Sequence, residues 1–441
     1  MNSLVSSAAG ALSGELRAPG DKSISHRALI LGALACGRST IRGLLEAEDV
    51  TRTARALEAC GVGVAPGGDR SWRVDGVGVG GLAAPADVLD LGNSGTAARL
   101  LLGVLASHRL DAVLTGDISL RARPMTRVAD PLRRMGAVIR CAAGGRMPLL
   151  VGGTATPVPI AYRLPVASAQ VKSAILLAGL NTPGETTVIE PQPTRDHTER
   201  MLRLYGADIR VTDSVDERTI TVRGQPELEP RDTEVPGDPS SAAFALVAAL
   251  IVPGSEVTVR GVGVNPLRTG LFETLSEMGA DLVLETVGES CGEPVADVTA
   301  RASALSAVAV PAARAPRMID EYPVLAVAAA FAQGTSRLDG LGELRVKESD
   351  RLAAIVRGLA DCGVDVEAGA DWLEVTGCPG AVAGGGQIET ARDHRIAMAF
   401  LVLGMAARHP VRIDDGTMIR TSYPDFAETM NRLGARIAPP A

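Results

Sequence analysis

Lys22, Lys172 and Lys347 are the only lysines among 44 cationic side chains; the rest are arginine. An ammonium is a compact charge that can release a proton when desolvated, whereas a guanidinium stays charged. A chain that writes nearly every cation as Arg keeps Lys where a point charge or a movable proton is needed. Each lysine sits in a polar cluster: Asp21-Lys22-Ser23, Gln170-Val171-Lys172-Ser173 and Val346-Lys347-Glu348-Ser349-Asp350-Arg351. The plainer alternative is that three lysines fell into three helix turns by chance.

Six apolar runs begin on polar turns: Asp21-Lys22-Ser23, Gly92-Asn93-Ser94-Gly95-Thr96, Ala167-Ser168-Ala169-Gln170, Gly237-Asp238-Pro239-Ser240-Ser241, Met318-Ile319-Asp320-Glu321 and Arg392-Asp393-His394-Arg395. Ser, Asn and Asp there are ordinary helix N-caps, and capping alone would account for any one of them. Helix N-termini also offer unpaired N–H groups and a partial positive charge, which suits anions. Lys22, Arg27, Arg99, Lys172 and Arg395 lie at or near these starts, where a cation is unfavourable unless an anion joins it. Two clusters lie elsewhere. Arg121-Ala122-Arg123-Pro124 closes a linker ahead of a helix expected over Val128–Met135, with a solvated basic loop as the alternative. Arg345–Arg351 is expected to open a helix, which places Lys347 and Arg351 on one face with Glu348 beside Arg351. A solvated mixed-charge face is the alternative there. His26 and His394 each precede an Arg at a helix start and read as hydrogen-bonded supports.

The elements that must position these residues form a repeat. Glycine-centred stops recur at Gly61, Gly136, Gly206, Gly279, Gly363 and Gly434, spaced 75, 70, 73, 84 and 71 residues apart. Each follows an amphipathic run, as Gly does at a helix C′ position. Between stops the chain repeats one pattern: polar turn, apolar helix, β-branched strand, amphipathic helix, two short strands. Expected examples are helices over Asp49–Cys60, Val171–Leu180, Asp196–Tyr205, Ala242–Val252 and Pro266–Met278, with strands over Thr186–Ile189 and Glu256–Val259. Each unit reads βαβαββ, and such a unit cannot bury its faces alone. The fold class expected is therefore α/β, six repeats in two lobes of three. A break falls near the Pro- and acid-rich Pro226–Pro239, and the strand expected over Ser13–Ala18 belongs with the C-terminal half. An ordinary doubly wound α/β chain is the alternative.

Composition limits the function. The chain is 46% hydrophobic and 22% charged, with only 2% aromatics and a net charge of −7. An acidic, aromatic-poor chain lacks the basic field and stacking surfaces of a nucleic-acid binder. The six cysteines form no CxxC pair and read as reduced thiols of a cytoplasmic protein. No signal peptide is expected in the first dozen residues, and the longest apolar runs, Ala242–Val252 and Ile396–Leu403, fall short of a membrane span. There is no GxxxxGK[ST] and no metal-ligand spacing of the histidines. Gly76-Val77-Gly78-Val79-Gly80 reads as a glycine-rich turn.

With these pieces in hand, the chain resembles the 3-phosphoshikimate 1-carboxyvinyltransferase (EPSP synthase) family of enolpyruvyl transferases. The matching stretches run in order over nearly the full length: Gly20–Arg27, Leu91–Thr96, Arg123-Pro124-Met125, Ala167–Ala174, Thr194–Glu199, Asp320–Pro323, Arg345–Arg351 and Asp393-His394-Arg395. The resemblance implies an inside-out α/β barrel in each of two domains: residues 1–19 with 235–441 as one lobe, 20–234 as the other, and the active site in the cleft between them. It implies no cofactor and no metal, two small-molecule substrates, no nucleic acid or membrane partner, and a monomer. Shikimate 3-phosphate would be held by Lys22, Ser23, Arg27, Ser168, Ala169, Gln170, Arg195, Asp320 and Lys347. Phosphoenolpyruvate would lie against Lys22, Gly95, Arg123, Gln170, Arg351 and Arg395. Asp320, Glu348 and Lys22 would be catalytic. Two phosphates and two carboxylates carry roughly −5 to −6. Seven cations (Lys22, Arg27, Arg123, Arg195, Lys347, Arg351 and Arg395) would face them, against Asp320 and Glu348.

Some positions depart from the family pattern. Arg420 stands where many relatives have a phosphoenolpyruvate-binding Lys, Glu343 where some have a substrate-contacting Asn, and Leu100 where others have Pro. Gly95 matches glyphosate-sensitive relatives while other motifs resemble the tolerant branch, so both outcomes stay open. Two alternatives remain. The sister transferase acting on UDP-N-acetylglucosamine uses a loop Cys at the position of Ile118, and a non-catalytic polyanion binder would need the cations without Asp320 or Glu348.

Overall fold

The computed structural model describes residues 3–69, 71–215, 217–380 and 382–440, so the outermost residues of the first expected lobe, Met1 and Ala441, lie outside the described residues. The described strands form six four-stranded sheets of one recurring order. In the second repeat, Leu89–Asp90 runs parallel to Asp111–Thr115, which pairs antiparallel with Arg146–Gly152, and this with Val138–Ala142. The third repeat does the same with Ala161–Arg163, Glu185–Glu190, Arg218–Arg223 and Ile209–Asp213. The parallel pair is joined by a helix crossover, as parallel strands require. This is the βαβαββ unit that the glycine stops imply. All six stop glycines have positive φ, between 74° at Gly363 and 111° at Gly434.

The chain divides into two compact units. One comprises Met1–Pro19, Pro236–Gly288 and Pro294–Ala441, and the other Gly20–Val235 with Glu289–Glu293. In the first, Ser13–Arg17 is the parallel partner of Glu256–Gly263. Leu4–Ser7 takes an inner position between Val411–Ile413 and Arg436–Ala438. In the second, Thr233–Glu234 supplies the parallel edge beside Cys36–Arg42.

The first helix of each repeat is apolar all round, and a helix of that kind must be enclosed. Pro239–Ile251 and Tyr322–Ala330 are buried at every residue. With His394–Ala406 they pack pairwise inside the first unit. Gly95–Ala106 packs on Ala169–Leu180 inside the second. That approach is close: a Cβ on Gly103 would stand 2.3 Å from the Ala174 carbonyl oxygen. The second helices are amphipathic, as in Thr126–Arg134, which buries Val128, Ala129 and Leu132 and leaves Arg133 and Arg134 towards solvent. Each unit has its own aliphatic core.

Three local expectations need correction. Arg345–Arg351 does not open a helix: a 3-10 turn, Gly342–Val346, ends there, and the helix starts at Arg351. Asp350 takes the N-cap, its carboxylate accepting from the Ala353 amide, so Lys347 and Arg351 share no helix face. Gly76 belongs to the strand Ser71–Val77 rather than to a turn. The linker before Arg123 contains a short helix, Ile118–Ala122, capped by Asp117.

Candidate functional site

Five of the six buried helices carry the side-chain N-cap their polar starts imply: Asp21, Ser94, Ser168, Asp238 and Asp393. The sixth, Tyr322–Ala330, begins on Glu321 without a side-chain cap bond, and Asp320 precedes it in a turn.

In the unit built on Gly20–Val235, three of these starts are tied together. Gln170 Nε2 donates to Thr96 Oγ1 at 3.0 Å, joining the third start to the second. Thr96 follows Gly95, the first residue of its helix. His26 links the first start to the second, with Nδ1 2.7 Å from Thr53 Oγ1 and Nε2 3.5 Å from Ser94 Oγ. Burial, then the charges of Lys22 and Arg27, hold His26 well below the usual imidazole range, so it is neutral at pH 7. Its role is the support that the sequence suggests.

Lys22 Nζ lies 3.1 Å from Asp49 Oδ2, with the lysine side chain 18% exposed. Arg27 is buried and fully engaged: Nε donates to Thr198 Oγ1 at 2.7 Å, one terminal nitrogen to Ser23 O at 2.9 Å, the other to Ser173 Oγ at 2.8 Å. Burial draws its guanidinium down to about 10, with Arg195 contributing in the same sense against Glu199, Asp21 and Glu293. Ser168 Oγ accepts from the Val171 amide, and Ala169 O from Ser173 Oγ. Arg195 is half-buried at the foot of the helix His197–Leu204.

Gly95 is where two guanidiniums converge. A Cβ there would meet Arg99 at 2.6 Å and Arg123 at 3.0 Å. Arg123 is oriented by Asn93 Oδ1 at 2.7 Å and Ser119 Oγ at 3.2 Å. Two like charges at one helix N-terminus form an arrangement that an anion stabilises.

In the other unit the charged residues form a second cluster. Asp320 Oδ1 lies 3.2 Å from Arg351 and 3.5 Å from Lys347 Nζ. Arg351 is 1% exposed and also pairs with Glu348 and Asp393. Burial opposes its charge, but Asp393, Glu348 and Asp320 outweigh that and raise its pKa. Arg395 donates to the main-chain carbonyl of Asp320 at 3.1 Å and takes its own amide cap from Asp393 at 2.9 Å. Arg345 holds the loop through Ala370 O and Gly369 O at 2.8 and 2.6 Å. Arg420 is exposed on the 3-10 turn Thr417–Thr421 and lines a cavity of about 890 Å³ with Arg412 and Asp414. Glu343 is exposed.

The expected balance of seven cations against two carboxylates omits Asp49 beside Lys22 and Asp393 beside Arg351. The sequence reading attended to the starts of the apolar helices. Asp49 and Thr198 come from the first turns of the amphipathic ones, where the same repeat would have found them; Arg351, also in such a first turn, is singled out by its own cluster. Among the described residues no group of three or more His, Cys, Asp or Glu side chains could hold a metal ion, and no helix is long and apolar enough to cross a membrane.

Comparison with known proteins identifies the family. The family model for EPSP synthase (3-phosphoshikimate 1-carboxyvinyltransferase) matches residues 7–430. A 3-phosphoshikimate 1-carboxyvinyltransferase of Rhodospirillum rubrum is 62% identical over 432 residues, covering 97% of this chain and 96% of the relative. Its namesake in Paramagnetospirillum magneticum is 61% identical over 436 residues, covering 99% and 98%. The structure of the EPSP synthase of Acinetobacter baumannii superposes with a TM-score of 0.89 at 42% identity, over 99% of this chain and all of that one. An enolpyruvyl transferase of Streptomyces tendae, 20% identical with a TM-score of 0.79 over 99% of this chain and 98% of its own, shares the fold. The chain belongs to the EPSP synthase family.

Proposed function

We propose that this chain transfers the enolpyruvyl group of phosphoenolpyruvate to the 5-hydroxyl of shikimate 3-phosphate, releasing phosphate. The observation that carries the reading is the convergence of Arg99 and Arg123 on the Gly95 helix start, beside Gln170 and its Thr96 partner. Such a site takes a small anion, and the family name supplies its identity. Lys22, Ser23, Arg27, Ser168, Ala169, Gln170 and Arg195 are assigned to shikimate 3-phosphate, with Asp320 and Lys347. Lys22, Gly95, Arg123, Gln170, Arg351 and Arg395 are assigned to phosphoenolpyruvate.

The chemistry is addition followed by elimination. A proton goes to C3 of phosphoenolpyruvate, the 5-hydroxyl oxygen bonds to C2, and the hydroxyl proton passes to a base. Loss of a C3 proton then restores the double bond as the C2–O bond to phosphate breaks. Asp320 is assigned to orient and deprotonate the hydroxyl, with Lys347 and Arg351 fixing its Oδ1. Glu348, oriented by Arg351, and Lys22, held by Asp49, are assigned to the C3 proton. Charge developing at the phosphate is met by fixed guanidiniums that need no reorganisation. All these groups lie on one chain, which favours a monomer, and the unpaired thiols suit a cytoplasmic enzyme.

Phosphate release from shikimate 3-phosphate plus phosphoenolpyruvate tests the proposal. Silence with that pair and turnover with UDP-N-acetylglucosamine would favour the sister activity. Against that outcome, the position of the sister enzyme's loop Cys is Ile118, an exposed apolar residue.

A further inference from the structure

The buried lysine has no part in the reaction as assigned, yet it is wholly enclosed. Lys172 is 0% exposed in the helix Ala169–Leu180. Its Nζ lies 2.7 Å from Glu199 Oε1, 3.1 Å from Glu190 Oε1 and 3.3 Å from Thr194 O. Both carboxylates are also buried. Glu190 ends the strand Glu185–Glu190, and Glu199 lies in the first turn of His197–Leu204. Between these two anchors runs the segment 191–196, which carries Arg195. Glu190 grips that segment a second time, accepting from the Thr194 amide at 3.2 Å and from Thr194 Oγ1 at 2.7 Å.

Arg195 bears on Arg27 electrostatically: its charge disfavours that of Arg27, less strongly than burial does. Arg27 is tied to the same cluster from the other side. Thr198 Oγ1 accepts from Arg27 Nε and donates to Ser173 Oγ at 2.7 Å, and Ser173 adjoins Lys172. Each of these buried cations has carboxylates against it, Glu190 and Glu199 for Lys172 and Glu199, Asp21 and Glu293 for Arg27, which is how charges persist in a dry interior.

We propose that Lys172 is a positioning residue: with Glu190 and Glu199 it clamps the Thr194–Arg195 segment, so that Arg195 stands beside Arg27 before the phosphorylated substrate binds. The inference rests on the assignment of Arg27 and Arg195 to shikimate 3-phosphate. It also explains why this site holds Lys. Glu190 Oε1 and Thr194 O accept from one nitrogen and Glu199 Oε1 stands beside it as an ion pair without a hydrogen bond, a compact arrangement that a point charge suits better than the fork of a planar guanidinium.

The test uses Glu190→Gln, which keeps the shape and weakens the grip, and Lys172→Arg, which keeps the charge and alters its geometry. Steady-state kinetics should show KM for shikimate 3-phosphate raised about 10- to 100-fold in both, the worth of one or two charge-assisted hydrogen bonds. KM for phosphoenolpyruvate should stay within about twofold by the same reasoning. Amide hydrogen exchange on the ligand-free proteins should quicken in 191–199 and nowhere else in the unit. If Glu190→Gln fails to fold, Lys172→Arg alone decides. An unchanged KM for shikimate 3-phosphate, an equal rise in both KM values, or faster exchange spread over the whole unit would overturn the clamp. A wild-type protein inactive on the substrate pair would sink the functional assignment, while the exchange pattern would still decide whether the cluster holds the segment.

Discussion

Arg351 Nε donates to Asp393 Oδ2 at 2.8 Å, with the two side chains 1% and 0% exposed. Asp393 is also the N-cap of His394–Ala406, so one carboxylate neutralises a buried guanidinium and starts a buried helix. Removing one partner of a buried pair costs about 3–5 kcal/mol, because the other is left uncompensated. Glu348 and Asp320 still face Arg351, so Asp393→Asn should cost about 3 kcal/mol, the low end of that range. Urea denaturation reads the loss. Burial works to raise the Asp393 carboxyl, but Arg351 overrides it and the native pKa lies below the ordinary value. The stability it contributes is therefore complete above the unfolded pKa of about 3.9 and is lost as pH falls through the native value. Asp393→Asn should flatten that acid limb; an unaltered limb would mean the pair contributes nothing to acid stability.

His26 acts in the same direction at higher pH. Its native pKa is depressed, so between that value and the unfolded value of about 6.5 the unfolded chain binds the extra proton. Stability then rises with pH across this window and is lost as pH drops below about 6.5. His108 is depressed by burial in the same sense. His26→Gln should reduce, by up to one proton, the slope of unfolding free energy against pH just below about 6.5. Equal slopes for the two proteins would count against a neutral His26.

Lys22→Arg preserves charge next to Asp49 but replaces an ammonium with a guanidinium, which does not give up a proton. A lost proton-transfer group typically costs about 10²–10⁴ in rate. Turnover should fall by at least about a hundredfold with the fold intact. Near-normal kcat would leave Lys22 a binding role only.

Gly95→Ala places a methyl group 2.6 Å from Arg99 and 3.0 Å from Arg123. Both neighbours are ends of flexible side chains, so the fold should tolerate the change while Arg123 is pushed aside. KM for phosphoenolpyruvate should rise about tenfold, the loss of roughly one charged contact. KM for shikimate 3-phosphate is the control and should hold.

Periodicity carried the architecture well. The glycine stops mark six left-handed turns, and the polar starts mark N-caps, because both are local demands of backbone geometry on residue type. What periodicity could not carry was which side chains meet. The contact of Arg27 with Ser173 spans 146 residues, and that of Trp72 with Glu46 only 26, yet neither leaves a trace in spacing. Lys347 and Arg351 misled for a different reason. Their four-residue spacing suits a helix face, but Asp350 between them is a better cap than a helix interior residue, and the cap prevailed.

The inner place of Leu4–Ser7 bears on how the polypeptide is made. Ser3 hydrogen-bonds Ile413 across 410 positions of the chain, and the flanking strand Arg436–Ala438 is later still. Leu4–Ser7 must wait for partners made some four hundred residues later, while Gly20–Val235 can assemble its own three repeats in the interval. Native contacts of such long separation are slow to form and leave strand edges open meanwhile. Folding of this sheet should therefore follow synthesis of Arg436–Ala438, with the inserted half preceding the half that encloses it in sequence.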